Sequence, residues 1–163
     1  ALSKFAPAAL RPRSLASDLD PTEDEWKWPD HGEIDIMEYV GHQPTTFHAS
    51  VHTRDYNHIQ SNSYSATTRA ATACGGLHTH SMHWTEDQIT IGVDGIPYFA
   101  YRNIGRDPGA WPFDQPHHLI LNIAVGGWGG AEGIDPAAFP AQMEVDYVRV
   151  YQSPDAPRHL VAD

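Results

Sequence analysis

Three carboxylates, Glu33, Asp35 and Glu38, are interleaved with large apolar side chains in the run Gly32-Glu33-Ile34-Asp35-Ile36-Met37-Glu38. Burying an ionised carboxylate without a partner costs several kcal/mol, so carboxylates inside an apolar strand are paired or used. Strict strand alternation puts Glu33 and Asp35 on one face and Glu38 on the other. One extra residue near Ile36 and Met37, a β-bulge, would return Glu38 to the face of the other two. All three would then enter one cleft while Ile34 faces the core. Two carboxyl groups flanking a scissile bond are what glycoside hydrolysis requires. The alternative is an acidic edge strand with its carboxylates in water. Ile34, Ile36, Met37, Tyr39 and Val40 make the segment too apolar for that.

The elements that must position these groups are short strands. Residues 88–94 alternate with period two and lead through Gly95 into 96–101, a hairpin signal. Further strands are expected over 46–53, 77–84, 119–125 and 143–151. Leu119, Leu121, Ile123 and Val125 share one face, with Asn122 on the other. Thirteen glycines and thirteen prolines break the chain, and no long helical periodicity or internal repeat is present. The pattern predicts an all-β sandwich. With 163 residues the chain makes one domain at most. Its formal charge of −11, from 10 basic and 21 acidic residues, argues against a nucleic-acid or anionic-membrane partner, since both demand a basic face. A neutral polymer suits such a surface. Cys74 is the only cysteine, so no intrachain disulfide can form. No stretch approaches the roughly 20 apolar residues of a membrane-spanning helix, and no signal peptide is visible.

The segment Trp28-Pro29-Asp30-His31-Gly32-Glu33-Ile34-Asp35-Ile36-Met37-Glu38-Tyr39-Val40-Gly41 resembles the catalytic motif of glycoside hydrolase family 16, in its bacterial laminarinase branch. Downstream, Trp111-Pro112-Phe113-Asp114, Leu119-Ile120-Leu121-Asn122-Ile123-Ala124-Val125-Gly126-Gly127 and Met143-Glu144-Val145-Asp146-Tyr147-Val148-Arg149-Val150-Tyr151-Gln152 extend the resemblance. It implies a jelly-roll β-sandwich (concanavalin A-like) and retaining endo-hydrolysis of 1,3-β-glucan, with no cofactor for catalysis and no partner protein. A secreted or periplasmic setting goes with it. Glu33 would be the nucleophile, Glu38 the general acid/base, and Asp35 the group that tunes the pair. The bulged spacing separates this branch from lichenase-like members, whose motif is E-x-D-x-E, although agarases and carrageenases share the bulged form.

Other residues follow with their own alternatives. Trp28 and Trp128 are candidates for stacking on the apolar face of a sugar ring. Core burial competes for Trp28, and less so for Trp128 in the loop Gly126-Gly127-Trp128-Gly129-Gly130. His52 matches a family histidine beside the catalytic strand and would hydrogen-bond the acid pocket, unless it is structural. Asp146 matches an aspartate that helps hold a structural calcium in relatives. Calcium needs six or more oxygens, and family partners from the N-terminal region are missing here. His78, His80 and His83 have ligand-like spacing, but alternation puts His78 and His80 on one face and His83 on the other, which argues against zinc.

In the family the catalytic strand follows many others, whereas only 32 residues precede Glu33. The sandwich is therefore expected to be incomplete at its N-terminus. Residues 1–21 form an atypical segment, 22–152 the C-terminal part of the catalytic domain, and 153–163 a tail. The string Ala6-Pro7-Ala8-Ala9-Leu10-Arg11-Pro12-Arg13 resembles no strand. Sliding the codons of residues 11–20 by one base recovers the family string G-R-G-L-W-P-A-I-W, with CTG leucine codons becoming TGG. A misframed family strand up to about Asp20 accounts for this, against an unrelated natural extension. Two further readings compete with an active enzyme: a non-hydrolytic β-glucan-binding module and an inactive truncated remnant. Binding-only relatives typically lose the catalytic glutamates, and both are present here.

Overall fold

Alternation decides most of the strands. The computed structural model describes residues 3–7, 28–105, 108–115 and 117–154. Its strands are β1 (Ser3–Pro7), β2 (Glu33–Tyr39), β3 (Thr46–His52), β4 (Tyr64–Arg69), β5 (His80–Trp84), β6 (Gln88–Val93), β7 (Ile96–Arg102) and β8 (Leu119–Asn122). Five form one antiparallel sheet in the order β4-β3-β2-β1-β8, and β5-β6-β7 form a second. The architecture is a jelly-roll β-sandwich. The β6–β7 turn has Asp94 and Gly95 both at positive φ, 50° and 80°, as a tight two-residue hairpin of this hand requires. Among the described residues, no helix is long and apolar enough to cross a membrane.

The core lies between the sheets. Ile34 and Ile36 of β2 and Ala49 and Val51 of β3 pack against Ile89, Ile91, Phe99 and Tyr101, with Trp111 and Phe113 closing one end. Burying side chains of this size contributes about 1.5–3 kcal/mol each. Because alternate residues of β2 and β3 are committed to this core, the residues between them must face the other way. That commitment gives the five-stranded sheet its polar outer face.

The turn before β2 is equally constrained. Gly32 has φ +79° and donates its N–H to the Pro29 carbonyl at 2.9 Å. A Cβ placed there would lie 2.6 Å from Phe113 Cε1 and 2.7 Å from Pro112 Cγ. Only glycine meets both demands, the left-handed backbone and the close approach. The turn folds Trp28 back over the first residue of β2.

Five points of the sequence reading need correction. Ala6 and Pro7, read as part of a non-strand segment, belong to β1, which pairs with β2 on one side and β8 on the other and ends at Pro7. A proline has no N–H for the ladder, so a strand terminus suits it. The strand expected over 119–125 stops at Asn122, and that over 77–84 begins only at His80. Residues 143–151 form no strand: alternation suits a segment for pairing, but a strand exists only where a second segment pairs with it. Finally, β4 went unread because Tyr64-Ser65-Ala66-Thr67-Thr68-Arg69 lacks apolar alternation; it is a largely exposed edge strand. The frame-shift reading of residues 11–20 and most of the expected tail, from 155 onward, lie outside the described residues.

Candidate active site

The bulge is where the carboxylate spacing demands it. Across β2–β3, Glu33 faces His52, Ile34 faces Val51 and Asp35 faces Ser50, but Glu38 faces His48, so three residues of β2 match two of β3. The extra residue turns Glu38 onto the face of Glu33 and Asp35. Ser50 records the result: its hydroxyl donates to Asp35 Oδ2 at 2.7 Å and lies 3.5 Å from Glu38 Oε2. Glu33, Asp35 and Glu38 thus share one face with His52, Ser50 and His48 beside them.

Each group has a distinct setting. Asp35 is fully buried, with His52 Nε2 at 3.3 Å from its Oδ2. Glu33 accepts a 2.6 Å hydrogen bond from Trp28 Nε1. The Trp28 ring lies 5.6 Å from His52 and 4.9 Å from His58, and the two imidazoles are 5.1 Å apart. At 36% exposure, Trp28 keeps a face toward solvent and is not a core residue. His58 rides on a loop held by Asn57, whose amide donates to the carbonyls of Thr53 and Arg54 and accepts from the Gln60 N–H.

The Glu38 end is walled by the second tryptophan. Trp128, on the 3₁₀ turn Gly127–Gly130, is 47% exposed and meets the His48 ring edge-to-face at 4.8 Å. Burial pushes the His48 imidazole below the usual range, opposed by the Glu38 carboxylate and reinforced by His42. The cleft therefore runs along β2 and β3, with carboxylates on its floor and an indole at each end. Trp28, His52 and Trp128, chosen from sequence, all border it. Ser50, His48 and His58 were not chosen. The alternation His48-x-Ser50-x-His52 was a usable signal for the first two.

Metal-ligand spacing occurs within the same cleft: one ligand atom from each of Glu33, Asp35 and His52 lies within 4.8 Å of the others. Asp146 is exposed and, among the described residues, joins no such group. His78, His80 and His83 do not converge either. His78 Nδ1 pairs with Asp94 Oδ2 at 2.6 Å, His80 packs edge-on against Phe47 at 4.7 Å, and His83 is exposed on the other face of β5.

These histidines make stability depend on acid. Burial lowers the His80 imidazole from 6.5 to about 4, so the unfolded chain takes up that proton first. Stability from this group is full above pH 6.5 and falls as pH drops toward 4, by at most about 3 kcal/mol. His48 and His117, also lowered by burial, act in the same direction. His78 is raised by its bond to Asp94, so its contribution is complete below pH 6.5 and fades above. Asp94 is lowered by the same bond, and its contribution disappears only below the ordinary carboxylate range. Urea melts at pH 7 and pH 4.5 should differ for the parent chain, and His80→Phe should remove the largest part of that difference.

Comparison with known proteins identifies the family and the fold. Residues 19–149 match the family model of the glycosyl hydrolases family 16. A β-glucanase of Rhodothermus marinus is 51% identical over 131 residues, which are 77% of this chain and 46% of that protein. The crystal structure of the laminarinase from Rhodothermus marinus superposes with a TM-score of 0.70 at 39% identity, covering 85% of this chain and 54% of that one. A mutant of a non-specific endo-β-1,3(4)-glucanase, with 1,3-β-D-cellobiosyl-glucose at its active site, superposes at 0.71 and 41% identity, covering 85% and 49%. The chain spans about half the length of each of these three relatives. By sequence and by fold, the chain belongs to the glycosyl hydrolases family 16.

Proposed function

We propose that this cleft hydrolyses 1,3-β-glucan internally with retention of configuration. The observation that carries the reading is the bulge that brings Glu33, Asp35 and Glu38 to one face between two tryptophans. The Glu33 carboxylate attacks the anomeric carbon while the bond to the leaving oxygen breaks and Glu38 gives that oxygen its proton. Glu38, now a carboxylate, takes a proton from water as the water attacks and the glycosyl–Glu33 ester bond breaks. Asp35, fixed by Ser50, keeps the floor between the two glutamates polar and oriented. Trp28 and Trp128 present ring faces to sugar units on either side. The relatives named for laminarin and for 1,3(4)-linked glucan support the substrate class.

Stereochemistry tests the reading. Proton NMR at early times of laminarin digestion should show the β-anomer first, with the α-anomer rising only by mutarotation. An α-anomer appearing first would mean that water, not Glu33, attacks the sugar.

A further inference from the structure

His48 is the cross-strand partner of Glu38, at the point where the bulge turns that carboxylate into the cleft. Its Nε2 lies 2.8 Å from Gln43 Oε1, which orients the ring. The ring meets the Trp128 indole at 4.8 Å and 88°, and His42 meets the same indole at 6.3 Å and 85°. Edge-to-face contacts of this type set the relative orientation of aromatic rings. Backbone bonds from the Gly130 N–H to the Gly126 carbonyl and from the Ala131 N–H to the Trp128 carbonyl, both 3.1 Å, close the turn that carries Trp128 but do not orient its side chain. Gly126 and Gly127 are both at positive φ, and no residue of Gly127–Gly130 is buried. The orientation of the indole therefore falls to its ring contacts.

We propose that His48 is a positioning residue that, with His42, fixes the Trp128 indole across the Glu38 end of the cleft and so sets the stacking surface for the sugar unit on the leaving-group side. The assignment of that side rests on the hydrolase reading above; the ring contact does not. The titratable and charged groups facing His48 are Glu38 from β2 and His42 from the adjoining loop, with Arg69 on the same face of β4 two residues beyond its partner Thr67. Burial and His42 disfavour its proton, and Glu38 favours it.

Tryptophan emission tests the contact without activity, because a protonated imidazole in ring contact quenches indole fluorescence more than a neutral one. The difference between the parent chain and Trp128→Phe isolates Trp128. That difference should fall as pH is lowered, and the step should shrink in His48→Phe, which keeps an aromatic edge but cannot titrate, and vanish when His42 is replaced by Phe as well. Laminaritetraose affinity should weaken about tenfold in His48→Ala, with KM raised more than kcat is lowered, and recover to within about threefold of the parent in His48→Phe. A pH-independent Trp128 signal, a step of undiminished size in His48→Phe, or parental sugar affinity in His48→Ala would each overturn the proposal. If the parent chain does not cleave laminarin, the hydrolase reading fails while the fluorescence result still decides the contact.

Discussion

Glu33→Ala should abolish turnover of laminarin and of aryl β-glucosides alike, because no glycosyl-enzyme can form without the nucleophile. Glu38→Ala should lower laminarin turnover by about 100- to 10,000-fold, the usual worth of a positioned acid/base. The same variant should spare the first step for dinitrophenyl glycosides, whose leaving oxygen needs no proton. Added azide should then restore its turnover and give a β-glycosyl azide, since the small anion can enter the space vacated by the Glu38 side chain and attack the Glu33 ester. The geometry makes this division of labour specific. Glu33 is held by the Trp28 N–H at 2.6 Å, and Glu38 sits across the bulge beside Ser50. Azide rescue of Glu33→Ala with a β-glycosyl azide, or of Glu38→Ala with an α-glycosyl azide, would exchange the two roles. Full activity in either variant would remove the carboxylate pair from the mechanism.

The carboxylate floor was legible in the sequence because alternation is rigid. With Ile34 committed to the core, Glu33 and Asp35 have one place to go, and only a bulge brings Glu38 to them. The register shift between Asp35 and Glu38 is the physical form of that spacing. Ser50 and His48 were harder to find, because they carry no chemistry until pairing sets them against Asp35 and Glu38. His58 could not be read at all: it reaches Trp28 and His52 through a loop whose shape depends on Asn57 hydrogen bonds. Strand β4 hid for the opposite reason. An edge strand with little to bury has no hydrophobic pattern to display. Residues 143–151 displayed the pattern and formed no strand, since pairing is a property of two segments and alternation of only one.

That last mismatch leads to the second large expectation, that this chain associates with itself. Residues 143–151 hold Val145, Tyr147, Val148, Val150 and Tyr151 exposed, the last two at 89% and 82%. Leu119, Ile120 and Leu121 of β8 are exposed as well, because the three-stranded sheet packs over β2, β3 and β4. Val125, Ile134 and Phe139 add to the same C-terminal region. Single exposed apolar residues are ordinary, but contiguous apolar surface beyond a few hundred Å² marks a contact site or an aggregation liability. The formal charge of −11 resists association, but salt screens charge over about 10 Å at 0.1 M and leaves apolar attraction intact. Light scattering at micromolar concentration should therefore give a mass well above the 18.1 kDa of one chain, rising with salt, with strong binding of a hydrophobic dye. Replacing Val148 and Val150 by lysine should lower both the mass and the dye signal. Neither residue packs in the described core, so the fold should be kept. A salt-independent mass of one chain without dye binding would show that the apolar surface of 119–151 is covered in solution.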